Sequence, residues 1–457
     1  MHHLPADLDE LLTKHGQRHV LAGWDGLDAE RRAGLVTQLR SLDFDRLAQL
    51  HADRDSVSLA PSGFHVTPLP GVLPDKPDAD AHKAGEWAIE RGEVAALVVA
   101  GGQGSRLGFE HPKGMFAIGP VSHKSLFQLH AEKVLARGRK YGVRIPFLVM
   151  TSHATHEETE EFFQRHGFFG LSPEDVYFFR QGTMPALDLA TGQLLLEEPG
   201  RLFASPNGHG GTLTAMADSG LLDRLRHAGV RHVFYFQVDN PLVKIADPTF
   251  LGQHVRLRAD VSSKVIPKDG PFDKLGNLVL IDDKLSIIEY SDLPPSLAEA
   301  RNPDGSLWIA VGNPAIHIFS LDFLDRVTAD ANAMPFHLAR KKVPYWDATV
   351  GEYVEPTKEN ALKFERFIFD VLPLCERWCA VATSRREEFS PLKNATGPDS
   401  PAVVKQAISD LATDWLTKAG AVVAPGVTIE LSALAALEPG DIKIAPGTRI
   451  EQNTLIQ

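Results

Sequence analysis

The chain has 457 residues, and 47 basic against 59 acidic side chains leave a net charge of −12. A chain this acidic has no general attraction for nucleic acid or an anionic membrane, and no stretch approaches the ~20 apolar residues of a membrane span. The hydrophobic content of 43% is enough for a sizeable core and argues against disorder.

Residues 7–54 read as helices, because Leu8, Leu11 and Leu12, then Leu35, Leu39 and Leu42, recur at helical spacing among charges. No basic segment followed by an apolar run opens the chain, so no secretory signal peptide is expected. Residues 61–80 are rich in Pro and Asp and read as a linker or wrapping segment. An amphipathic stretch over 81–91 leads into a change of character. From Val94 onward, apolar runs of strand length precede Gly-rich turns and then helical stretches; residues 95–100, 146–151 and 233–238 are three such runs. Buried strands separated by helices predict an open α/β sheet.

Residues 278–290 alternate more like antiparallel strands, and 400–418 read as a helix. The tail over 420–457 holds strand-like pieces. Its phrases Pro425-Gly426-Val427-Thr428-Ile429 and Pro446-Gly447-Thr448-Arg449-Ile450 are weakly alike, which suggests a small β module but too few copies for a solenoid. The expected organisation is a helical N-terminal region over 1–85, a catalytic domain over 86–395 and a C-terminal module over 396–457. Cys375 and Cys379 are too few for a disulfide framework or a zinc site, and suit a reducing cytoplasm.

The most informative segment is Leu97-Val98-Val99-Ala100-Gly101-Gly102-Gln103-Gly104-Ser105-Arg106-Leu107-Gly108, followed by Pro112-Lys113-Gly114. An apolar strand runs into Gly101, Gly102, Gly104 and Gly108. Such a loop lets backbone amides approach a phosphate chain, and Arg106 and Lys113 add mobile positive charge over it. Rival motifs fail on spacing. A dinucleotide fingerprint needs its third glycine three places after the second, and here Leu107 stands there with Gly108 one place late. A P-loop needs Ser or Thr after its lysine, and Lys113 is followed by Gly114.

Asp239 follows another apolar run. A carboxylate at a strand's carboxyl end suits Mg²⁺, which takes one or two carboxylates together with phosphate oxygens and water. Its bland alternative is a turn cap at Asp239-Asn240-Pro241. Gln103 and Gln181 carry planar amides able to face an imide edge such as uracil, with a solvated loop residue as the alternative for each.

These motifs are collinear with a known family. The Gly-rich loop resembles that of the eukaryotic-type UDP-N-acetylhexosamine pyrophosphorylases, within the wider UDP-sugar pyrophosphorylase group. So do Ser122-His123-Lys124-Ser125-Leu126-Phe127-Gln128, Arg180-Gln181-Gly182, Val238-Asp239-Asn240, Glu289-Tyr290-Ser291, Gly312-Asn313 and the run from Arg386 to Asn394 through Ser390-Pro391-Leu392-Lys393. The likeness runs from Leu8 nearly to Trp415. It implies a Mg²⁺-dependent uridylyltransferase with a Rossmann-like nucleotidyltransferase core and mixed central sheet, a helical N-terminal extension and a small β-rich C-terminal module. UTP and a sugar 1-phosphate are its implied substrates, with no nucleic acid or membrane partner. A monomer or weak homodimer is expected.

By the same resemblance Arg106, Lys113 and Lys393 are the transition-state cations. Gly101, Gly102, Gln103, Gly104, Ser105, Gln181 and Gly208 hold the nucleotide, Asp239 holds the metal, and His209, Gly276, Glu289 and Asn313 contact the sugar. One departure stands out. The acetylhexosamine enzymes carry Asn in a Gly-Asn-Gly-Gly turn, whereas this chain has Gly208-His209-Gly210-Gly211, as in UDP-glucose and broad UDP-sugar enzymes. Pro314 and Ile316 around Asn313 are a second. N-acetylglucosamine 1-phosphate is the first expected acceptor and glucose 1-phosphate the next. A NAD(P)-dependent oxidoreductase and a catalytically silent UDP-sugar-binding regulator are the rival classes.

Overall fold

A computed structural model describes residues 4–55, 65–330 and 333–457, so residues 61–64 of the Pro- and Asp-rich segment lie outside the described residues. The chain divides into two compact units. One gathers Met1–Ser62, Gly182–Gly211 and Met334–Ile368; the other gathers Gly63–Gln181, Thr212–Ala333 and Phe369–Gln457. This division does not follow the boundaries expected at residues 85 and 395. The physical reason lies in the N-terminal helices, whose apolar stripes need other elements to cover them.

In the larger unit eleven strands of the described residues form one mixed sheet. They are β1 (Val66–Pro68), β2 (Val94–Val99), β3 (Phe147–Thr151), β4 (Val176–Arg180), β5 (His232–Gln237), β6 (Val261–Pro267), β7 (Gly276–Ile281), β8 (Lys284–Ile288), β9 (Val311–Asn313), β10 (His317–Ser320) and β11 (Trp378–Ala382). The order is β1-β7-β9-β6-β10-β5-β2-β3-β4, with β8 beside β7 and β11 beside β6. β5, β2, β3 and β4 run parallel, while β10 is antiparallel to both β5 and β6. The carboxyl ends of β2, β3, β4, β5 and β6 therefore share one edge of the sheet, the edge at which open α/β sheets place ligands.

Strands β2 and β3 are apolar almost throughout because both their faces are covered. Val94–Val98 and Phe147–Thr151 are buried residue by residue, and Phe127, Phe163, Phe234, Phe236 and Phe250 pack into the same core. Helix α1 (Ala79–Glu90) realises the amphipathic stretch, and α2 (Leu126–Tyr141) crosses from β2 towards β3. Ser125 starts α2 by accepting from the Gln128 N–H at 3.1 Å, and Gly142 ends it in the left-handed region at φ 67°. Helix α3 (Pro248–Arg256) packs on α1, and α4 (Pro401–Lys418) is the expected helix near the C-terminus. Beyond it, Val422–Val423 pairs in parallel with Arg449–Ile450, and Ile429–Leu431 with Thr454–Ile456. The two weakly alike phrases thus lead into strands of a small β module with its own apolar cluster.

The smaller unit begins with helices Ala6–Lys14, Ala29–Arg40 and Phe44–Ala52. Asp28 and Asp43 cap the second and third by accepting from the Arg31 and Arg46 amides. Leu8, Leu12, Leu35 and Leu39 are buried, with Leu11 and Leu42 packed at the margin. The same cluster takes in Leu187, Leu196, Leu362 and Phe364, carried by two short sheets from later in the chain.

Candidate active site

β2 runs into the glycine loop, which folds back on itself. The Gly104 N–H donates to the His111 carbonyl at 2.9 Å, and the Lys113 N–H donates to the Gly102 carbonyl at 3.0 Å. That closure brings Lys113 back beside the start of the loop. A Cβ on Gly101 would meet the Gln181 amide oxygen, so the bare backbone there lets that side chain lie against the start of the loop. Gln181 is buried just past β4 and donates its N–H to the Thr151 carbonyl at 2.8 Å. The structure thus joins Gly101 and Gln181 across β3. Gly102, Gln103, Ser105 and Arg106 are exposed along the loop, whereas Gly104 is buried against Phe109. Arg106 has no ion-pair partner among the described residues.

The second component gathers at the end of β5. Asp239, only 8% exposed, lies with its carboxylate 3.8 Å from the Lys113 ammonium. Lys113 donates to the Leu392 carbonyl at 3.4 Å, and the Leu392 N–H donates to the Asp239 carbonyl at 2.8 Å. Residues 113, 239 and 392 therefore form one cluster, and Lys393 is the next residue in the chain. Its backbone N–H donates to the Asp399 carbonyl at 2.8 Å, and its half-buried side chain has no ion-pair partner among the described residues. The turn-capping role open to Asp239 belongs instead to Asn240, whose Oδ1 accepts from Leu242 at 3.3 Å and from Ser390 at 3.1 Å. Asp239 keeps its carboxylate for other partners.

The third component lies on the other half of the sheet. Gly276 pairs with Asn313, and Asn277 with Ile288, so Glu289 follows directly at the same end. Asn313 donates to the Lys264 carbonyl at 2.8 Å and accepts from the Ala315 N–H at 2.9 Å. Those two bonds fix the side chain and leave one N–H and one lone pair of its amide. Gly208 and His209 belong to the smaller unit. There the Nδ1 of His209 accepts from the Ile368 N–H at 3.2 Å, and its ring lies tilted against Phe367 with centroids 5.4 Å apart.

A buried ionic network escaped the reading of the sequence. Lys264, inside the buried strand β6, donates to Asp247 at 2.8 Å and to Glu388. Burial pulls the Lys264 ammonium down, but Asp247 and Glu388 outweigh it and hold it above the usual lysine value. Burial likewise pushes Asp247 up, and Lys264 reverses this and holds it down to about 2. Close by, Lys133 donates to the Pro241 and Val243 carbonyls, and burial pushes it down to about 7. Only Glu388, inside the run from Arg386 to Asn394, stood within a recognised motif.

This edge of the sheet carries the backbone of the glycine loop, three cations and one carboxylate. The model of the UTP–glucose-1-phosphate uridylyltransferase family matches residues 76–413. The chain belongs to that family. Within it, the chain is 37% identical over 452 residues to the UDP-N-acetylglucosamine pyrophosphorylase of Saccharomyces cerevisiae, covering 93% of this chain and 94% of that one. It is also 37% identical over 438 residues to the human UDP-N-acetylhexosamine pyrophosphorylase-like protein 1, covering 91% and 86%. The solved structure of the UDP-N-acetylglucosamine pyrophosphorylase from Trypanosoma brucei, in complex with an inhibitor, matches with a TM-score of 0.81 at 27% identity over 96% and 95% of the two chains. The nucleotidyltransferase fold implied by the resemblance is the fold of the family.

Proposed function

We propose that the protein catalyses UTP + N-acetylglucosamine 1-phosphate ⇌ UDP-N-acetylglucosamine + pyrophosphate. The observation that carries this reading is the meeting of Lys113, Asp239 and Leu392–Lys393 beside the glycine loop, in a chain this close to UDP-N-acetylglucosamine pyrophosphorylases. In the reaction a phosphate oxygen of the sugar phosphate attacks the α-phosphorus of UTP, and the bond to the β-phosphate oxygen breaks. Negative charge spreads over the transferring group, so positioned cations supply most of the catalysis and no protein nucleophile is needed. Arg106 and Lys113 belong with the triphosphate, and Lys393 with the incoming sugar phosphate. Gln103 and Gln181 read the uracil, with Gly102 and Gly208 approaching base or ribose through their backbones, while Gly276, Glu289, Asn313 and His209 take the sugar.

Mg²⁺ is the proposed cofactor. Among the described residues no cluster of three or more His, Cys, Asp or Glu could hold a metal. A single buried-edge carboxylate, Asp239, fits an ion that draws its remaining ligands from phosphate oxygens and water. When bound, the ion would neutralise triphosphate charge. The free thiols of Cys375 and Cys379 accord with a cytoplasmic setting. A monomer or weak homodimer completes the proposal.

The test is pyrophosphate release from UTP and Mg²⁺ with N-acetylglucosamine 1-phosphate or glucose 1-phosphate as acceptor. The higher kcat/KM is expected for the acetylated sugar. Release with neither acceptor would overturn the enzymatic reading. A preference for glucose 1-phosphate would favour the second reading, a UDP-glucose pyrophosphorylase, which the Gly208-His209-Gly210 turn supports.

A further inference from the structure

We infer that Lys264 and Glu388 are positioning residues that hold the sugar-side residue Asn313 and the transfer centre at Asp239 and Lys393 in one fixed arrangement. The inference rests on the proposed reaction. Lys264 reaches both sides at once. Its backbone carbonyl accepts from the Asn313 amide at 2.8 Å, and its ammonium donates to Glu388. Glu388, wholly buried, is then held on every side. Thr383 Oγ1 donates to Oε2 at 2.9 Å, and the Lys244 N–H donates to Oε1 at 3.1 Å. Its own carbonyl accepts from the Asn240 amide at 2.8 Å, one residue from Asp239. Asn240 Oδ1 in turn accepts from the Ser390 N–H at 3.1 Å, three residues before Lys393. Four residues, Lys264, Glu388, Asn240 and Ser390, therefore connect the sugar-side amide to the phosphate-side carboxylate and lysine, with no exposed link between them.

Stability alone explains such an arrangement poorly. Removing two or three charges from water costs about as much as their attraction returns, and an apolar pair of similar size often serves the fold as well. Geometry explains it better. The segment over 385–393 is a short helical turn and irregular chain, with no ladder of its own to set where Lys393 lies. A buried carboxylate that accepts three bonds in fixed directions sets that position, and small errors of placement weigh heavily on a transfer that depends on alignment. Asp247 is the useful contrast. It shares the Lys264 ammonium, but its other carboxylate oxygen caps α3 by accepting from the Thr249 N–H at 3.0 Å, away from the site residues.

The test compares Glu388→Gln, Asp247→Asn and Thr383→Val in the full chain with UTP, Mg²⁺ and the acceptor that the wild-type protein uses best. Glu388→Gln is expected to lower kcat by at least about tenfold and raise KM for the sugar phosphate severalfold, with KM for UTP within about twofold, because Gln181 and Gly101 lie beyond β5. Asp247→Asn is expected to lower the melting temperature by as much as Glu388→Gln does, while keeping kcat within about twofold. Equal kcat in these two variants would overturn the inference and leave a purely structural ion network. Should Glu388→Gln fail to fold, Thr383→Val decides: it removes one neutral donor to Glu388, and a kcat at least about threefold lower at unchanged melting temperature supports the inference, whereas a wild-type kcat overturns it. Absence of turnover in the wild-type protein would instead defeat the proposed reaction, so the two failures are distinct.

Discussion

At the scale of single residues, the candidate site holds its charges on a backbone fixed by hydrogen bonds. Lys113 is fixed at both ends: its N–H closes the glycine loop on Gly102, and its ammonium reaches the Leu392 carbonyl and stands 3.8 Å from Asp239. Loss of a charge-assisted contact costs about 1.5–3 kcal/mol, so Lys113→Ala should lower turnover by at least about tenfold. An unchanged rate in steady-state assays would remove Lys113 from the catalytic set. Asp239→Asn separates the metal role from a packing role. The bond from Leu392 goes to the Asp239 backbone, so the fold should hold, and the melting temperature should stay close to that of the wild type. The Mg²⁺ concentration for half-maximal rate should rise by about tenfold or more if this carboxylate holds the ion. An unchanged Mg²⁺ titration would rule it out as a ligand.

At the scale of elements, strands and helices meet through a few buried polar groups. The C-terminal module is tied to the turn before α2 by Glu430, whose carboxylate accepts from the Val121 and Ser122 amides at 2.9 and 2.8 Å and from Ser122 Oγ at 2.6 Å. Glu430→Ala would strand those donors, and a loss of roughly 3 kcal/mol in chemical denaturation is expected. Where β5 begins, His232 packs edge-on against His254 of α3, with ring centroids 5.0 Å apart. Burial pushes His232 down to about 4, and burial reinforced by His232 holds His254 well below the ordinary value. Both rings stay neutral in the folded chain at pH values where the unfolded chain protonates them. Stability should therefore be complete above pH ~6.5 and fall as the pH drops towards 4, by roughly 1.4 kcal/mol per pH unit for each histidine. Denaturation curves between pH 7 and 5 would show the fall, and His232→Phe should flatten it. An identical slope in that variant would place the cause elsewhere.

At the scale of the whole molecule, each compact unit has a hydrophobic cluster of its own. Two cores predict two cooperative transitions, so calorimetric enthalpy should exceed the van't Hoff value. Leu35, fully buried among the leucines of the smaller unit, allows a sharper measurement. Leu35→Ala should weaken that unit by about 2–5 kcal/mol and shift one transition while leaving the other in place. A single transition that moves as a whole would show that the chain unfolds as one.

The local signals were strong enough to be read without a structure. Continuous apolar runs ending at Gly101 and near Asp239 became parallel strands with those residues at their carboxyl ends, because chains that bury both faces of a strand leave an unmistakable pattern. The helical N-terminus, the helix near residue 401 and the β tail were legible for the same reason, since each depends on spacing within a few residues. Partnerships between distant residues were not legible. Nothing in the order of the chain shows that residues 182–211 and 334–368 join the N-terminal helices, that Asn240 rather than Asp239 caps its turn, or that Lys264 finds Glu388 across 124 positions. A lone lysine in a buried strand carries no mark of its partner, because its charge is balanced by side chains that only the folded sheet brings near. The sequence by itself determined the kinds of element and the chemistry at their ends; the tertiary structure decided which ends meet, since buried charge and apolar surface are satisfied only by partners brought together in three dimensions.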